Sequence, residues 1–234
     1  MTESVIGIIG GMGPEATLEL FHRILACTPA QRDQDHYRIL IDNNPKIPDR
    51  TAAILGHGAD PLSALLASAR TLQQAGASFL VMPCNTAHHW LPALRRSISI
   101  PILDMVNETA KHVLNHRPPL KTIGLLATTG TLKVELYQKA LEEKGLTSLV
   151  PRPDEQSSVM EAIYRIKAGD YAAKDAVLHI AQQLIRRGAA GLVLGCTELS
   201  LIAKEEAVGC PLFDPLSILA REAVKWASGE GDKG

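Results

Sequence analysis

The stretch Val5-Ile-Gly-Ile-Ile-Gly-Gly-Met-Gly13 is a short apolar, β-branched run that ends in a glycine-rich turn. A similar stretch, Thr122-Ile-Gly-Leu-Leu-Ala-Thr-Thr-Gly-Thr131, occurs in the second half of the chain. Runs of this kind are typical of strands in a parallel sheet, whose two faces are both covered by helices. The two stretches therefore predict an α/β fold in each half of the chain.

Strand-like and helix-like segments alternate along the whole sequence. Amphipathic stretches such as Pro61–Ala75 and Ala172–Arg187 end at a glycine, as helices commonly do. The segments predicted to be strands are Val5–Gly10, Arg38–Ile41, Ser78–Met82, Ile100–Leu103, Thr122–Leu126, Gly191–Leu194 and Pro211–Phe213. Such alternation implies right-handed βαβ units and an α/β fold class.

A second pair of similar segments indicates an internal duplication. Gly76-Ala-Ser-Phe-Leu-Val-Met-Pro-Cys-Asn-Thr86 matches Gly188-Ala-Ala-Gly-Leu-Val-Leu-Gly-Cys-Thr-Glu198, in the same order and at a similar offset as the first pair. We therefore predict two similar lobes, each with a central parallel sheet flanked by helices, related by a pseudo-two-fold axis with the active site in the cleft between them. The predicted N-terminal lobe comprises residues 1–104 and 214–234, and the C-terminal lobe comprises residues 105–213.

The composition is that of an ordinary globular enzyme. The 234-residue chain is 46% hydrophobic and 21% charged, with a formal net charge of -1. Charge so close to neutral argues against a nucleic-acid partner, which would require a basic face. The N-terminal stretch lacks a secretion signal, and no window approaches the roughly 18–20 apolar residues needed to cross a bilayer. We therefore expect a cytoplasmic protein that binds neither membranes nor nucleic acid.

Two of the four cysteines, Cys84 and Cys196, occupy the duplicated segments. Each follows a predicted strand and precedes a predicted helix, the position where ligand sites form in open α/β sheets. The positive end of a helix lowers the pKa of a thiol, and the neighbouring Asn85, Thr86 and Thr197 could cap that helix or hold a carboxylate. A single buried cysteine could equally be a core residue, but the repeated context favours a functional pair.

Two thiols on opposite sides of a substrate suit racemisation. One thiolate removes the α-proton and the other thiol returns a proton to the opposite face. Hydroxyls and backbone N–H groups in a dry cleft would stabilise the carbanion. Cys27 and Cys210 lack this context, so we predict structural roles, with Cys27 in the apolar face of the first helix.

Other chemistries fit the motifs less well. His88 and His89 follow Cys84 closely, as in a thiol protease, but no partnering Asn/Asp pattern accompanies them. Three such residues do not make a zinc site, so we predict no metal. The turn Gly10–Gly13 lacks the order of a dinucleotide-binding fingerprint.

Four segments resemble, in the same order, signature stretches of the aspartate/glutamate racemase family. They are Gly10-Gly-Met-Gly-Pro-Glu-Ala-Thr17, Pro83-Cys-Asn-Thr-Ala-His88, Ala127-Thr-Thr-Gly-Thr131 and Gly195-Cys-Thr-Glu-Leu199. The resemblance extends from Val5 to Ala227 and is strongest to the aspartate-racemase type. It implies an amino-acid racemase without pyridoxal phosphate, other cofactors or metal, with Cys84 and Cys196 as the catalytic pair. It also implies a homodimer acting on a small acidic amino acid.

The resemblance implies roles for two cations. Arg50, in Pro48-Asp-Arg-Thr51, is similar to the arginine of the family's mobile loop, which grips the substrate's side-chain carboxylate. Lys167 is similar to a second cation on the same carboxylate. Without the resemblance, Arg50 could be a solvated loop residue and Lys167 could complement a helix dipole.

The remaining implied site residues lie in the turns after the predicted strands. Thr128 and Thr129 are similar to hydroxyls that flank the α-amino or α-carboxylate end of the substrate. Gly11 and Met12 correspond to the family's first loop. Glu198, two residues after Cys196, could support the thiol or could only begin a helix.

Two alternative functions stay open from the sequence. One is another reaction of the same superfamily, namely hydantoin racemisation, maleate isomerisation or arylmalonate decarboxylation, the last two of which require only one cysteine. The other is a two-lobed anion-binding protein without catalytic activity. The sequence does not distinguish aspartate from glutamate as the substrate.

Overall fold

The computed structural model describes residues 4–202 and 205–231. The chain forms two compact units, one that extends to Met105 and resumes at Leu216, and one formed by Val106–Pro215. Each unit contains a parallel sheet flanked by helices, so the predicted α/β class is confirmed. No helix in the described ranges is both long enough and apolar enough to span a membrane.

The strands are β1 (Ile6–Gly10), β2 (Ile39–Asn43), β3 (Phe79–Val81), β4 (Thr122–Ala127), β5 (Thr147–Leu149), β6 (Gly191–Gly195) and β7 (Leu212–Phe213). The α-helices are α1 (Pro14–Cys27), α2 (Arg50–Ile54), α3 (Leu62–Gln74), α4 (Leu91–Ser97), α5 (Met105–Leu114), α6 (Thr129–Lys133), α7 (Leu136–Glu142), α8 (Pro153–Lys167), α9 (Lys174–Arg186), α10 (Glu205–Val208) and α11 (Pro215–Ser228). Short 3-10 helices occur at Asp33–Asp35, Thr86–Trp90, Tyr171–Ala173 and Leu199–Leu201.

The first unit is built on a sheet with the strand order β2-β1-β3. Its central strand β1 is buried throughout, which explains why it lacks alternating polar residues. Ile6 and Ile8 pack in the core that contains α1 and α11, whereas Ile9 packs in the core that contains α3 and α4. Successive side chains of β1 thus enter two separate apolar cores, as the period of two in a strand requires.

The second unit is built on a sheet with the strand order β5-β4-β6-β7. Its central strands β4 and β6 are almost entirely buried. Leu126 of β4 and Leu192 and Leu194 of β6 pack with the apolar faces of α8 and α9. All strand pairs in this sheet are parallel, as in the first unit.

The repeated glycines Gly7 and Gly124 meet the same kinds of neighbour within their own units. A Cβ on Gly7 would lie 2.6 Å from Leu80 Cδ2 and 2.9 Å from Ala77 Cβ. A Cβ on Gly124 would lie 2.4 Å from Leu192 Cδ2 and 3.2 Å from Ala189 Cβ. The duplicated sequence therefore corresponds to duplicated packing. In each unit, the missing side chain of the glycine leaves room for a leucine of the strand paired with it.

The prediction of a strand at Ile100–Leu103 is wrong. This segment makes only a single parallel bridge, between Ile102 and Leu80. Pro101 has no N–H to continue a ladder, and α5 begins at Met105. The segment is thus too short and too poor in donors to become a strand.

Three further differences concern element ends and burial. Strand β5 was not predicted, because its Thr-Ser-Leu sequence is half-buried at a sheet edge and gives no apolar run. The helix predicted to begin at Ala172 begins at Lys174, after the 3-10 helix Tyr171–Ala173. Cys27 is exposed at the end of α1, so its predicted place in the apolar face is wrong.

Candidate active site

Cys84 lies just beyond the carboxyl end of β3 and is buried. Its backbone N–H donates to the carbonyl of Met82 (2.8 Å), which turns the chain away from the strand. Asn85 and Thr86 follow and are also buried, at the start of the 3-10 helix Thr86–Trp90. The three residues therefore lie in the turn at the carboxyl end of β3, the end of a parallel sheet where ligand sites form.

His88 holds the backbone of Cys84 rather than its thiol. Its Nδ1 lies 2.9 Å from the Cys84 carbonyl oxygen, and the backbone N–H of Met105 donates to its Nε2 (3.2 Å). Because a backbone N–H can only donate, Nε2 accepts, and Nδ1 carries the proton that binds the carbonyl. Burial lowers the pKa of His88, which favours this neutral ring. These bonds give His88 a positioning role and do not form the Cys–His pair of a thiol protease.

The glycine-rich turn after β1 is fixed by Thr17, a residue that the sequence analysis did not single out. The Thr17 hydroxyl accepts from the Gly11 N–H (2.9 Å) and donates to the Gly13 carbonyl (3.0 Å). Gly11 has a φ of +90°, and a Cβ there would lie 2.3 Å from the backbone carbon of Asn44. Met12 is buried in the same apolar cluster as Cys84. The sequence signal for Thr17 is a hydroxyl in the first turn of a helix after glycines.

Arg50 binds backbone carbonyls at the start of α2. Its Nη1 donates to the carbonyls of Ile47 (3.1 Å) and Pro48 (2.9 Å), and its Nη2 lies 3.5 Å from the carbonyl of Met12. Its Nε is buried and has no hydrogen-bond partner among the described residues. The guanidinium thus connects its own loop to the glycine-rich turn, and one edge of it is left for another acceptor.

In the second unit, Cys196 follows β6 and is buried together with Thr197 and Glu198. The Cys196 thiol donates to Oε2 of Glu198 at 2.9 Å, and the Thr197 hydroxyl lies 3.4 Å from the same oxygen. The carboxylate is therefore in direct contact with the thiol, beyond the helix-start role that the sequence left open for it.

Lys167 contacts the other oxygen of the same carboxylate. As the last residue of α8, it places its ammonium Nζ 2.5 Å from Oε1 of Glu198. Glu198 is thus bridged between an ammonium and a thiol, and we call Lys167, Glu198 and Cys196 the thiol triad. Sequence reasoning placed Lys167 on a substrate carboxylate and did not foresee this protein carboxylate as its partner.

The electrostatics of the thiol triad favour a protonated Cys196. Burial raises the pKa of Cys196 well above its ordinary value, and the adjacent Glu198 carboxylate raises it further. The Lys167 ammonium opposes this effect. Cys196 is therefore a neutral thiol at neutral pH, and it has a proton to donate.

Thr128 connects β4 to α6, and Thr129 is the first residue of α6. Thr128 caps α6, since its hydroxyl accepts from the Thr131 N–H (3.1 Å). The hydroxyl of Thr129 accepts from Nε2 of Gln156 (3.2 Å), which also donates to the Ala127 carbonyl (3.0 Å). Gln156 is a second residue that sequence reasoning missed, because it lies in α8, far along the chain.

The predicted site residues thus fall into local groups within each unit. In the first unit Arg50 joins the turn of Gly11 and Met12, and Met12 shares a core with Cys84. In the second unit Cys196, Glu198 and Lys167 form one hydrogen-bonded set. Within the described residues, no group of three or more His, Cys, Asp or Glu side chains is arranged to hold a metal.

Comparison with known proteins identifies related chains. Residues 9–223 match the family model described as Asp/Glu/hydantoin racemase. A broad-specificity amino-acid racemase of Bacillus subtilis is 27% identical over 225 residues, which cover 94% of this chain and 96% of the relative.

Solved structures are similar along nearly the whole chain. The aspartate racemase of Picrophilus torridus superimposes with a TM-score of 0.84 at 30% identity, covering 96% of this chain and 94% of that one. A putative Asp/Glu racemase of Yersinia pestis superimposes with a TM-score of 0.79 at 26% identity, covering 96% and 99%. These structures share the α/β architecture of this chain.

Proposed function

The chain belongs to the Asp/Glu/hydantoin racemase family and is an amino-acid racemase, and from this premise we propose that it interconverts the enantiomers of an acidic amino acid without a cofactor. The observation that carries the proposal is the pair of buried cysteines after β3 and β6, in segments of matching sequence. Each cysteine follows the carboxyl end of a parallel strand, and burial together with the contact to Glu198 keeps Cys196 a thiol.

In the proposed reaction, Cys84 and Cys196 act on one bound substrate from opposite faces. The thiolate of Cys84 takes the α-proton: the Cα–H bond breaks, an S–H bond forms, and the electron pair stays on the α-carbon and its carboxylate. The Cys196 S–H bond then breaks and its proton forms a new Cα–H bond on the other face. The products are the opposite enantiomer, a Cys84 thiol and a Cys196 thiolate, which are the starting state of the reverse reaction.

The thiol triad makes the energetic cost of proton transfer differ between the two directions of the reaction. The Cys196 thiolate formed after proton delivery lies beside the Glu198 carboxylate, whose negative charge disfavours it, while Lys167 stabilises it. Cys196 is thus a weak proton donor in one direction, whereas its thiolate is costly to form but strongly basic in the other. We propose that turnover numbers differ between the enantiomers even though the equilibrium constant is near one.

Arg50 and Lys167 support an acidic substrate. We propose that both cations bind the side-chain carboxylate, Arg50 with its buried Nε edge and Lys167 by sharing its ammonium between Glu198 and the substrate. The relative named as an aspartate racemase fits this substrate class. We propose that polar residues near the ends of the strands bind the α-ammonium and α-carboxylate groups of the substrate. These residues are Asn85, Thr86, Thr128, Thr129 and Thr197.

The test is α-proton exchange in deuterated water, followed by NMR on D- and L-aspartate and on D- and L-glutamate separately. We expect wild type to exchange both enantiomers and to racemise them. Cys84→Ala and Cys196→Ala should each abolish racemisation, because one face loses its proton source. Each variant should still exchange the proton of one enantiomer with retention of configuration, and the two variants should prefer opposite enantiomers.

Cys27→Ala and Cys210→Ala are the matched controls, because these thiols lie outside the strand-end turns. Both should racemise at about the wild-type rate. A Cys196→Ala enzyme that still racemised near the wild-type rate would rule out two-thiol chemistry and favour a one-cysteine reaction. Added pyridoxal phosphate should have no effect, and a requirement for it would contradict the proposed mechanism.

A further inference from the structure

Gln156 extends from the first turn of α8 to the end of β4. Its Nε2 donates to the carbonyl of Ala127 (3.0 Å) and to the hydroxyl of Thr129 (3.2 Å). These two bonds use both hydrogens of the side-chain amide. The amide is therefore fixed at two points where β4 passes into α6.

The first of these bonds also fixes which way the amide faces. The Ala127 carbonyl can only accept a hydrogen bond, so the NH2 group must face it and the oxygen Oε1 must face away. Oε1 is buried, and no donor among the described residues reaches it. A buried carbonyl oxygen without a donor is unfavourable, so a bound molecule that supplies a donor would stabilise it.

The position of this oxygen indicates its partner. It belongs to a side chain that is bonded to Thr129, which the proposed function places at the α-carbon end of the substrate. An acidic amino acid carries two carboxylates, which only accept hydrogen bonds at neutral pH, and one ammonium group with three donors. The ammonium is thus the only group of such a substrate that can satisfy the Gln156 oxygen.

We propose that Oε1 of Gln156 accepts a hydrogen bond from the substrate's α-ammonium group, so that Gln156 selects amino acids over dicarboxylates that lack the amino group. The proposal rests on the proposed function for the class of substrate. A buried polar group that is left unpaired strongly disfavours an analogue without the matching donor. The expected consequence is preference for aspartate over succinate, or for glutamate over glutarate.

The experiment compares two substitutions that distinguish the role of the acceptor oxygen Oε1 from the role of the amide hydrogens, which bind Ala127 and Thr129. Gln156→Met keeps the length of the side chain and removes all polar atoms, whereas Gln156→Glu keeps an acceptor oxygen and loses the amide hydrogens. Binding of the amino acid that wild type racemises fastest, and of its analogue without the amino group, is measured by calorimetry for each protein. Gln182→Met is the matched control, since Gln182 lies in α9 of the same unit and its side chain, among the described residues, donates to the Val208 carbonyl alone.

We expect Gln156→Met to bind the amino acid about tenfold or more weakly while the analogue binds as before, so that discrimination is lost. Gln156→Glu should retain most of the discrimination, because the acceptor remains. Equal weakening of both ligands in both variants would mean that Gln156 only anchors the turn, and unchanged affinities would mean that it has no role in binding. Either result overturns the inference. If wild type still racemises an acidic amino acid, the proposed function is unaffected by that result. A wild type that racemises no amino acid would instead overturn both.

Discussion

Glu198 is the residue whose contacts add most to the chemistry of Cys196. Its two carboxylate oxygens separately contact the thiol and the Lys167 ammonium. Replacing this carboxylate with a neutral amide would keep a hydrogen-bond acceptor beside the thiol and remove the negative charge that raises its pKa. The contribution of charge can therefore be separated from that of the hydrogen bond.

We predict that Glu198→Gln lowers the pH at which Cys196 becomes reactive, because the amide removes the negative charge beside the thiol. The measurement is the pH dependence of iodoacetamide labelling, with the labelled cysteine identified by mass spectrometry. Glu155→Gln is the control, because Glu155 pairs with Arg187 elsewhere in the same unit. A labelling profile that does not move, or that moves to higher pH, would contradict the role assigned to the carboxylate.

At the residue scale, the sequence predicts where a functional residue lies along the chain better than it predicts which residues its side chain contacts. Cys84 and Cys196 can be located after strands because an apolar run and the turn that follows it are local features. The contact of Lys167 with Glu198 joins residues 31 positions apart, and the bond from Gln156 to Ala127 joins residues 29 positions apart. Such contacts depend on where α8 packs against the sheet, which no local pattern specifies.

At the scale of elements, the glycine-rich turn after β1 depends on a close approach between two backbones. Gly11 has a φ of +90°, and Gly56 in another turn has a φ of +83°. A Cβ on Gly11 would collide with the backbone of Asn44 at 2.3 Å, whereas a Cβ on Gly56 would meet no atom within 4 Å. The two positions share a positive φ and differ in the space around a substituted Cβ.

We predict that Gly11→Ala lowers the free energy of unfolding by about 3–4 kcal/mol, as the sum of left-handed strain and overpacking. Gly56→Ala should lower it by only about 1–2 kcal/mol, from strain alone. Urea unfolding of both variants measures the difference. Equal losses at the two positions would show that Asn44 moves away at little cost, and that the turn is not rigidly held.

The quality of the element predictions follows from burial. Central strands such as β1, β4 and β6 are covered on both faces, so their sequences are continuously apolar and easy to identify. The edge strand β5 is only partly buried and carries polar residues, so its sequence gives no comparable signal. The segment around Pro101 is apolar because it is buried, but apolar character alone does not supply the N–H groups of a ladder.

At the scale of the whole molecule, the stability of the fold is linked to the protonation of His88. The ring is buried, donates from Nδ1 to the carbonyl of Cys84 and accepts at Nε2 from Met105. Protonation would place a hydrogen on Nε2, facing the Met105 N–H. The nearby Asp104 favours the charged ring and Arg95 disfavours it, but burial is the largest effect and lowers the pKa of His88.

The direction of the pH dependence follows from this lowered pKa. Below about pH 6.5, the ordinary value for histidine, the unfolded chain binds a proton that the native ring does not bind. Because the unfolded state then holds more protons, His88 makes the free energy of unfolding fall as the pH decreases. The fall continues until the pH reaches the lowered pKa of the folded state, and it amounts to at most about 1.4 kcal/mol per pH unit.

We therefore predict that wild type loses stability more steeply than His88→Gln, which has no titratable group at this position, as the pH falls below about 6.5. Urea unfolding at several pH values gives both slopes, and His179→Gln, at an exposed position of α9, is the matched control. The substitution at His88 should also lower stability at pH 7.5, because an amide cannot reproduce both bonds of the ring at their present separation. If wild type and His88→Gln lose stability in parallel as the pH falls, the buried ring is not the group that links protonation to folding. The hydrogen bonds of His88 to Cys84 and Met105 would then have to tolerate a charged histidine.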